Sequence, residues 1–562
     1  MRRVINIVML LLWWLQFAGA IDISNIFHNP NDIFYVNPSA GEIKLKTKRA
    51  NLTGAELVFT SSTTQMVLAF EDEEFDYFVA YLNNLDTTQS YYFVLKDNKD
   101  TLKFPLSGEF KTNIGSFLIP SWAVGKIYYS IYPDGFYNGN LTNDPKDVLT
   151  WGAKPEDWRS YGGDLKGIIS KIGYLDSLDP DIILLQPIQM AASNHKLNPR
   201  NYATIDPAFG DTNDLRILIS ELHKKNKKIV LNFIVTQTGI DFPAFADIIQ
   251  KRNSSKYLDW FLIRSLPIKM SPPNYPCWRS DYRFPELNLT NEQVINYLLG
   301  YLEYWKHFGF DGFYVGGGKN IDVDLIKASR THLKSKYPDL LLLGNGAPSP
   351  NINHLDGASD RTFTELLINY FIKNKITTSD FDNQIRRLLF FNLPQVNCTN
   401  LLNLSDCDTR IHALTTDKNI IKIMYAFIFT FCGSPVILYG DEIGLTESVP
   451  LNLGSFVWVP NAQNQDFVAE LKKLIKIRKS NPQFSKKYFY TIYLNDITKV
   501  YAYDRGGVIV VLNLGQAQSL VELPAWNGQY LDLVSGEKFI ANAQKLRLSI
   551  NTKSYRILRR EL

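Results

Sequence analysis

The sequence is poor in cysteine, in net charge and, past its first twenty residues, in long apolar runs. Each shortage excludes a class of protein. Four cysteines in 562 residues, Cys277, Cys398, Cys407 and Cys432, are too few to staple a scaffold, and their spacing suits no zinc site. Cys398 and Cys407 are near enough to bridge across a short loop, and they are the expected pair in an oxidising compartment. With 60 basic residues against 56 acidic and a net charge of +4, no polyanionic partner is expected. The seven His and scattered Lys form no block of the kind that binds nucleic acid.

Only the N-terminus carries a long apolar stretch. Arg2-Arg3, an apolar run from Val4 to Phe17, and Ala18-Gly19-Ala20 have the layout of a cleaved secretory leader. The run is shorter than the ~20 residues a membrane span needs and contains Asn6 and Gln16. A secreted protein with no membrane span after cleavage is therefore expected. Sequons at Asn51, Asn140, Asn253, Asn288, Asn397 and Asn403 would matter in a glycosylating host.

What is present is a globular composition, 45% apolar and 21% charged, in a chain long enough for roughly three or four domains. From residue 21 to 118, segments such as "EIKLKTKRAN", "AELVFTSS" and "SYYFVLKD" alternate apolar and polar residues between turn clusters. This period of two predicts a β-sandwich. After Pro120 the rhythm becomes strand, loop, helix. "KIYYSIYP" precedes "LKGIISKIGYL", and "DIILLQPI" precedes "TNDLRILISELHKKN", where Thr212 or Asn213 is placed to cap. "KKIVLNFIV", "DGFYVG", "LLLLGN" and "PVILYGDEIG" read as further buried strands. So many βα units predict an α/β fold, a (β/α)8 barrel over 119–480, interrupted after the third strand by an inserted stretch at about 238–287 rich in Pro, Trp and Tyr. A β-rich tail completes the chain at 481–562.

"IYPDGFYNGN-LTNDP", "YGGDLKGI", "SNHK", "IDPAFGD", "SSKYLDWF", "YWKHFGFDGF" and "GSPVILYGDEIG" occur in that order. Together they resemble the neopullulanase, maltogenic amylase and cyclomaltodextrinase branch of glycoside hydrolase family 13. The resemblance implies a starch-binding-like β-sandwich, a TIM barrel and a C-terminal β-sandwich. It also raises a homodimer through the N-terminal sandwich as a candidate assembly. The chemistry it implies is retaining hydrolysis of α-glucosidic bonds, which needs a carboxylate nucleophile and a carboxylic acid about 5–5.5 Å apart.

Those positions hold uncharged residues here. Where the family reads roughly Gly-Trp-Arg-Leu-Asp, this chain has Gly312-Phe313-Tyr314-Val315-Gly316, so Gly316 stands at the nucleophile and Tyr314 at the supporting Arg. Leu343-Gly344-Asn345 places an amide at the general acid, and an amide donates no proton to a leaving alkoxide. The third-strand Asn-His pattern ends on Gln237, and the sugar-stacking Tyr and its Asp read Leu197-Asn198. Asp406 or Asp408 is the candidate surviving carboxylate, without a preceding His. Asp322 and Asp324 read as helix-start residues, and Glu365 as a further nearby carboxylate.

The resemblance also implies a calcium site from Asn138, Asn140, Asn143, Asp144, Gly162 and Asp164, oxygen ligands of the kind Ca²⁺ prefers, of weak affinity with only two carboxylates. In the inserted domain, exposed Tyr275, Trp278 and Tyr282 are candidate glucose-stacking platforms, with His195 as a further sugar contact. The expectation is a secreted, catalytically degenerate family member that binds an α-glucan or a protein partner. Its rival is a working α-glucan hydrolase using relocated carboxylates.

Overall fold

The computed structural model describes residues 21–317, 322–346 and 354–561; the leader expected at 1–20 lies outside them. Eight parallel strands close into a barrel: β1 (Tyr128–Ile131), β2 (Ile182–Leu185), β3 (Lys228–Ile234), β4 (Gly312–Gly316), β5 (Leu341–Asn345), β6 (Gly357–Ser359), β7 (Leu401–Leu402) and β8 (Ser434–Leu438). β8 returns to β1 through the pair Tyr128↔Val436. Alternate residues of each strand face opposite sides. Tyr128, Ile182, Leu184, Val230, Leu341, Leu343 and Val436 thus pack together in one core.

Helices flank the strands, as the apolar periodicity predicts, with two local differences. "LKGIISKIGYL" is broken at Lys171 into Leu165–Ser170 and Ile172–Leu178. The helix Thr212–Lys224 is capped not by Thr212 or Asn213 but by Asp211. The Asp211 side chain accepts from the N–H groups of Asn213 and Asp214, and Asp214 reaches back to complete a capping box. Asp322 caps Val323–Lys336 as expected, accepting from the Asp324 N–H, and Glu365 makes an exposed ion pair with Arg361.

After β3 the chain makes the helix Pro243–Lys251 and a series of short turns. Phe245, Phe261 and Tyr275 meet there edge to face at 4.9 Å. Tyr275 and Trp278 are buried, contrary to the expectation of exposed platforms; only Tyr282 is exposed. The barrel runs on into an eight-stranded antiparallel sheet from Tyr490–Asn495 to Ser554–Arg560, with a core of its own around Val511, Leu523 and Leu558.

A separate compact unit comprises the chain up to Leu118 together with Arg386–Gln395. It contains a five-stranded and a four-stranded antiparallel sheet around Ile43, Leu45, Leu57, Phe78 and Phe93. Phe390 stacks on Phe70 at 4.9 Å and Phe391 on Phe34 at 5.9 Å. Among the described residues no helix is long and apolar enough to cross a membrane.

The expected Cys398–Cys407 pair is not formed. The Cys398 sulfur lies 3.4 Å from that of Cys432, while Cys407 lines the cleft described below. The sequon residue Asn397 is buried and inaccessible in this fold.

Candidate active-site cleft

The C-terminal ends of the barrel strands open into a cavity of about 660 Å³, the face on which barrels of this kind carry their sites. The period of two decides which side chains form its floor. On β3 the inward residues are Val230, Asn232 and Ile234; on β4 they are Gly312, Tyr314 and Gly316; on β5 they are Leu341, Leu343 and Asn345. Pairing sets Asn232 beside Tyr314 and Ile234 beside Gly316. The positions read as nucleophile, supporting cation and acid therefore converge on one floor, and all are neutral.

That floor is knit together by amides and hydroxyls. Gln186 donates to the Ser130 hydroxyl at 2.9 Å and accepts from Asn232 Nδ2 at 2.7 Å. The Tyr314 hydroxyl donates to Asn345 Oδ1, and Asn345 Nδ2 donates to the Gly317 carbonyl. Gln237 donates to the Leu197 carbonyl at 3.0 Å and accepts from the Thr236 hydroxyl. Asn232 Oδ1 is buried without a partner.

Gly316 is also sterically committed. A Cβ there would lie 2.7 Å from Asn232 Oδ1 and 2.9 Å from the Tyr314 ring. A side chain there could enter only if Asn232 and Tyr314 moved aside.

Three carboxylates line the cavity: Asp360, Asp406 and Asp408. Asp360 follows the very short β6 and caps the helix Arg361–Leu367, accepting from the Thr362 N–H at 2.8 Å and its hydroxyl at 2.6 Å. Burial raises its pKa above the usual carboxylate range. Nothing in the sequence singles out Asp360, because a three-residue strand has too few positions to show a period. Asp406 accepts from the N–H groups of Asp408 and Thr409, both at 2.9 Å. Asp408 is ion-paired with Arg279 from the inserted segment.

Of the expected sugar contacts, Trp278 lines the cavity, and Tyr275, Tyr282 and His195 do not. The Arg279 guanidinium lies 4.5 Å from the Trp278 ring centre. His195 is buried between Trp158 and Phe284. Burial, with Lys196 and Arg279 nearby, pulls its pKa down to about 3, so the imidazole is neutral.

A second cluster forms where the loop after β1 meets the start of the helix Leu165–Ser170. Asn138 Nδ2 donates to Asp144 Oδ1 at 2.8 Å, and Asp164 Oδ1 accepts from Gly139 and Gly167. Gly162, at φ +80°, approaches so closely that a Cβ would lie 2.5 Å from Asp144 Oδ1. Asp164 Oδ2 and Asn143 Oδ1 are buried acceptors without partners. Asn140 is turned into its own loop, accepting from the Thr142 N–H and hydroxyl. Among the described residues no group of three or more His, Cys, Asp or Glu is placed to hold a metal, so a cation here would need amide and backbone oxygens besides the two carboxylates Asp144 and Asp164.

The family profile described as "Alpha amylase, catalytic domain" matches residues 130–484. The chain belongs to the α-amylase family. A second profile, "Alpha amylase, N-terminal ig-like domain", covers 21–117. The chain is 32% identical over 516 residues to a cyclomaltodextrinase of Thermoanaerobacter pseudethanolicus, covering 86% of this chain and 88% of that one. It is 28% identical to a maltogenic α-amylase of Bacillus acidopullulyticus over 93% of this chain and 99% of that one. A solved cyclomaltodextrinase structure superposes with a TM-score of 0.85 at 24% identity, over 95% of this chain and all of its own. These likenesses place the chain on the cyclomaltodextrinase branch of α-amylase-family glycoside hydrolases.

Proposed function

We propose that this α-amylase-family chain is secreted, holds an α-glucan in the strand-end cleft and does not hydrolyse it. The observation that carries this reading is Gly316: the nucleophile's place has no carboxylate, and a side chain could enter only if Asn232 and Tyr314 moved aside. Asn345, at the acid's place, spends both ends of its amide on Tyr314 and Gly317. Double displacement needs both groups, and removing one member of such a unit typically costs on the order of 10⁴–10⁶ in rate. What the cleft offers instead is an amide- and hydroxyl-lined floor, an orphaned Asn232 oxygen and the edge of Trp278, groups suited to sugar hydroxyls and ring faces.

The Asn138–Asp164 cluster supports a calcium ion as a structural cofactor. Asp144, Asp164 and Asn143 would hold it, since two of their oxygens are buried without donors. There it would tie the β1 loop to the following helix.

A second reading, hydrolysis by relocated carboxylates, has two supports. The relatives carry the names of hydrolytic enzymes, and Asp360 combines a cavity position with a raised pKa. The test is calorimetric titration with maltoheptaose and β-cyclodextrin, alongside reducing-sugar release from cyclodextrin, pullulan and starch. Binding without turnover is the expected result. Turnover abolished by Asp360→Asn, Asp406→Asn or Asp408→Asn would establish the second reading. Absence of both binding and turnover would shift the weight to a protein partner.

A further inference from the structure

At the end of the barrel opposite the cleft, two thiols face each other. Cys398 precedes β7 and Cys432 precedes β8, and these neighbouring strands pair through Leu401↔Ser434. The two sulfurs are 3.4 Å apart, and both residues are buried. Hydrogen bonds hold both backbones, one of them directly between the two segments. The Cys398 carbonyl accepts from the Gly125 N–H at 2.7 Å, and the Ser434 N–H donates to the Asn400 carbonyl at 2.8 Å. Around Cys432, the Arg478 guanidinium donates to the carbonyls of Phe429 and Phe431 at 2.6 and 3.3 Å and to that of Gly433. Arg505 donates to the Thr430 carbonyl.

We propose that Cys398 and Cys432 form a disulfide that joins the bases of β7 and β8, leaving Cys277 and Cys407 as thiols. The fold has already done the work that usually limits such a bond. The sulfurs are in contact, and bonding needs them to close by little more than about 1 Å. While the chain is still folding and the thiols are accessible, one cysteine's thiolate attacks a disulfide of a protein thiol oxidant, the other thiolate displaces that oxidant from the mixed disulfide, and the two thiol protons pass to the oxidant's departing sulfurs. One S–S bond forms in the protein, and the oxidant leaves as a dithiol with the two electrons. Two sulfurs without a His or carboxylate beside them are too few ligands for a metal. Closure ties together residues 34 apart in sequence, so it restricts the unfolded chain as well as the barrel's base.

The experiment is a thiol count on the full chain secreted from a host with an oxidising pathway. The protein is denatured and alkylated without reductant, then peptide-mapped. Two adducts, on Cys277 and Cys407, with a reductant-sensitive 398–432 cross-linked peptide, are expected. Four adducts, or a cross-link to Cys407, would overturn the proposal. As a second readout, dithiothreitol lowers the wild-type melting temperature by several degrees and leaves that of the C398A/C432A double variant unchanged. An equal drop in both proteins also overturns it.

Discussion

Two sets of polar residues in the same barrel are built differently. At the ends of β3, β4 and β5 the floor is neutral. Just past β8, Asp441 and Glu442 remain as carboxylates although both are wholly buried. Asp441 is paired with the buried guanidinium of Arg410 at 3.3 Å and accepts from the Tyr425 hydroxyl at 3.0 Å. Arg410 itself donates to the carbonyls of Tyr439 and Leu453. Glu442 accepts from the hydroxyls of Tyr129 and Tyr174 at 2.6 and 2.7 Å and from the Gly440 N–H. Each buried carboxylate is embedded in partners that would be orphaned without it, and orphaning a buried polar group is costly. At the cleft the replacements close on one another: Tyr314 donates to Asn345 and Asn232 to Gln186. Structural charges are held by the cost of removing one partner; catalytic charges are held only by the reaction.

The most severe way to probe this contrast is Arg410→Ala. Leaving Asp441 buried and unpaired should destabilise the protein by about 3–5 kcal/mol, measured by denaturant unfolding. A change under about 1 kcal/mol would break the comparison.

Next in size is a pH effect. Burial raises the Glu442 carboxyl from 4.5 to about 7, despite its hydroxyl donors. Between those values the folded protein holds a proton that the unfolded chain has lost, so folding takes up a proton and stability falls as pH rises. The contribution is fully present below about pH 4.5 and lost above about pH 7, a change of about 3 kcal/mol. Glu442→Gln should flatten that slope in melting curves taken from pH 5 to 8; an unchanged slope would assign it elsewhere.

Restoring a carboxylate to the cleft sharpens the other side. Gly316→Asp should cost about 1–3 kcal/mol through overpacking against Asn232 and Tyr314, and should release no reducing sugar from starch, since Asn345 still supplies no acid. Turnover by this single variant would mean that an acid survives in the cleft.

The smallest effect concerns the Asn138–Asp164 cluster. Millimolar calcium should raise the melting temperature by a few degrees, and Asn143→Ala should abolish that rise while leaving the metal-free melting temperature nearly unchanged. An equal rise in the variant would place the ion elsewhere.

The barrel strands were legible because their buried runs are short and apolar, and their order carries family motifs. That Gly316 and Asn345 are neutral was legible because residue identity needs no structure, and each sits at the end of such a run. Asp360 was not, because β6 is three residues long and its burial depends on neighbours distant in sequence. The helix break at Lys171 left no mark on the apolar period, and Asp211 was hidden by adjacent Thr and Asn residues that cap equally well.

Sequence alone determined the family, the alternation of strand and helix, and the absence of charge at Gly316 and Asn345, since these depend on residue identity and local period. Only the tertiary structure decided what fills the vacated floor. It buried Tyr275 and Trp278 and left two orphaned oxygens at Asn143 and Asp164. It also set Cys398 against Cys432 rather than Cys407. Those outcomes depend on strand register and on which segments the closed barrel brings together. Sequence distance does not report them: Cys407 is nearer along the chain, but Cys432 is nearer in the fold, because β7 and β8 are neighbours.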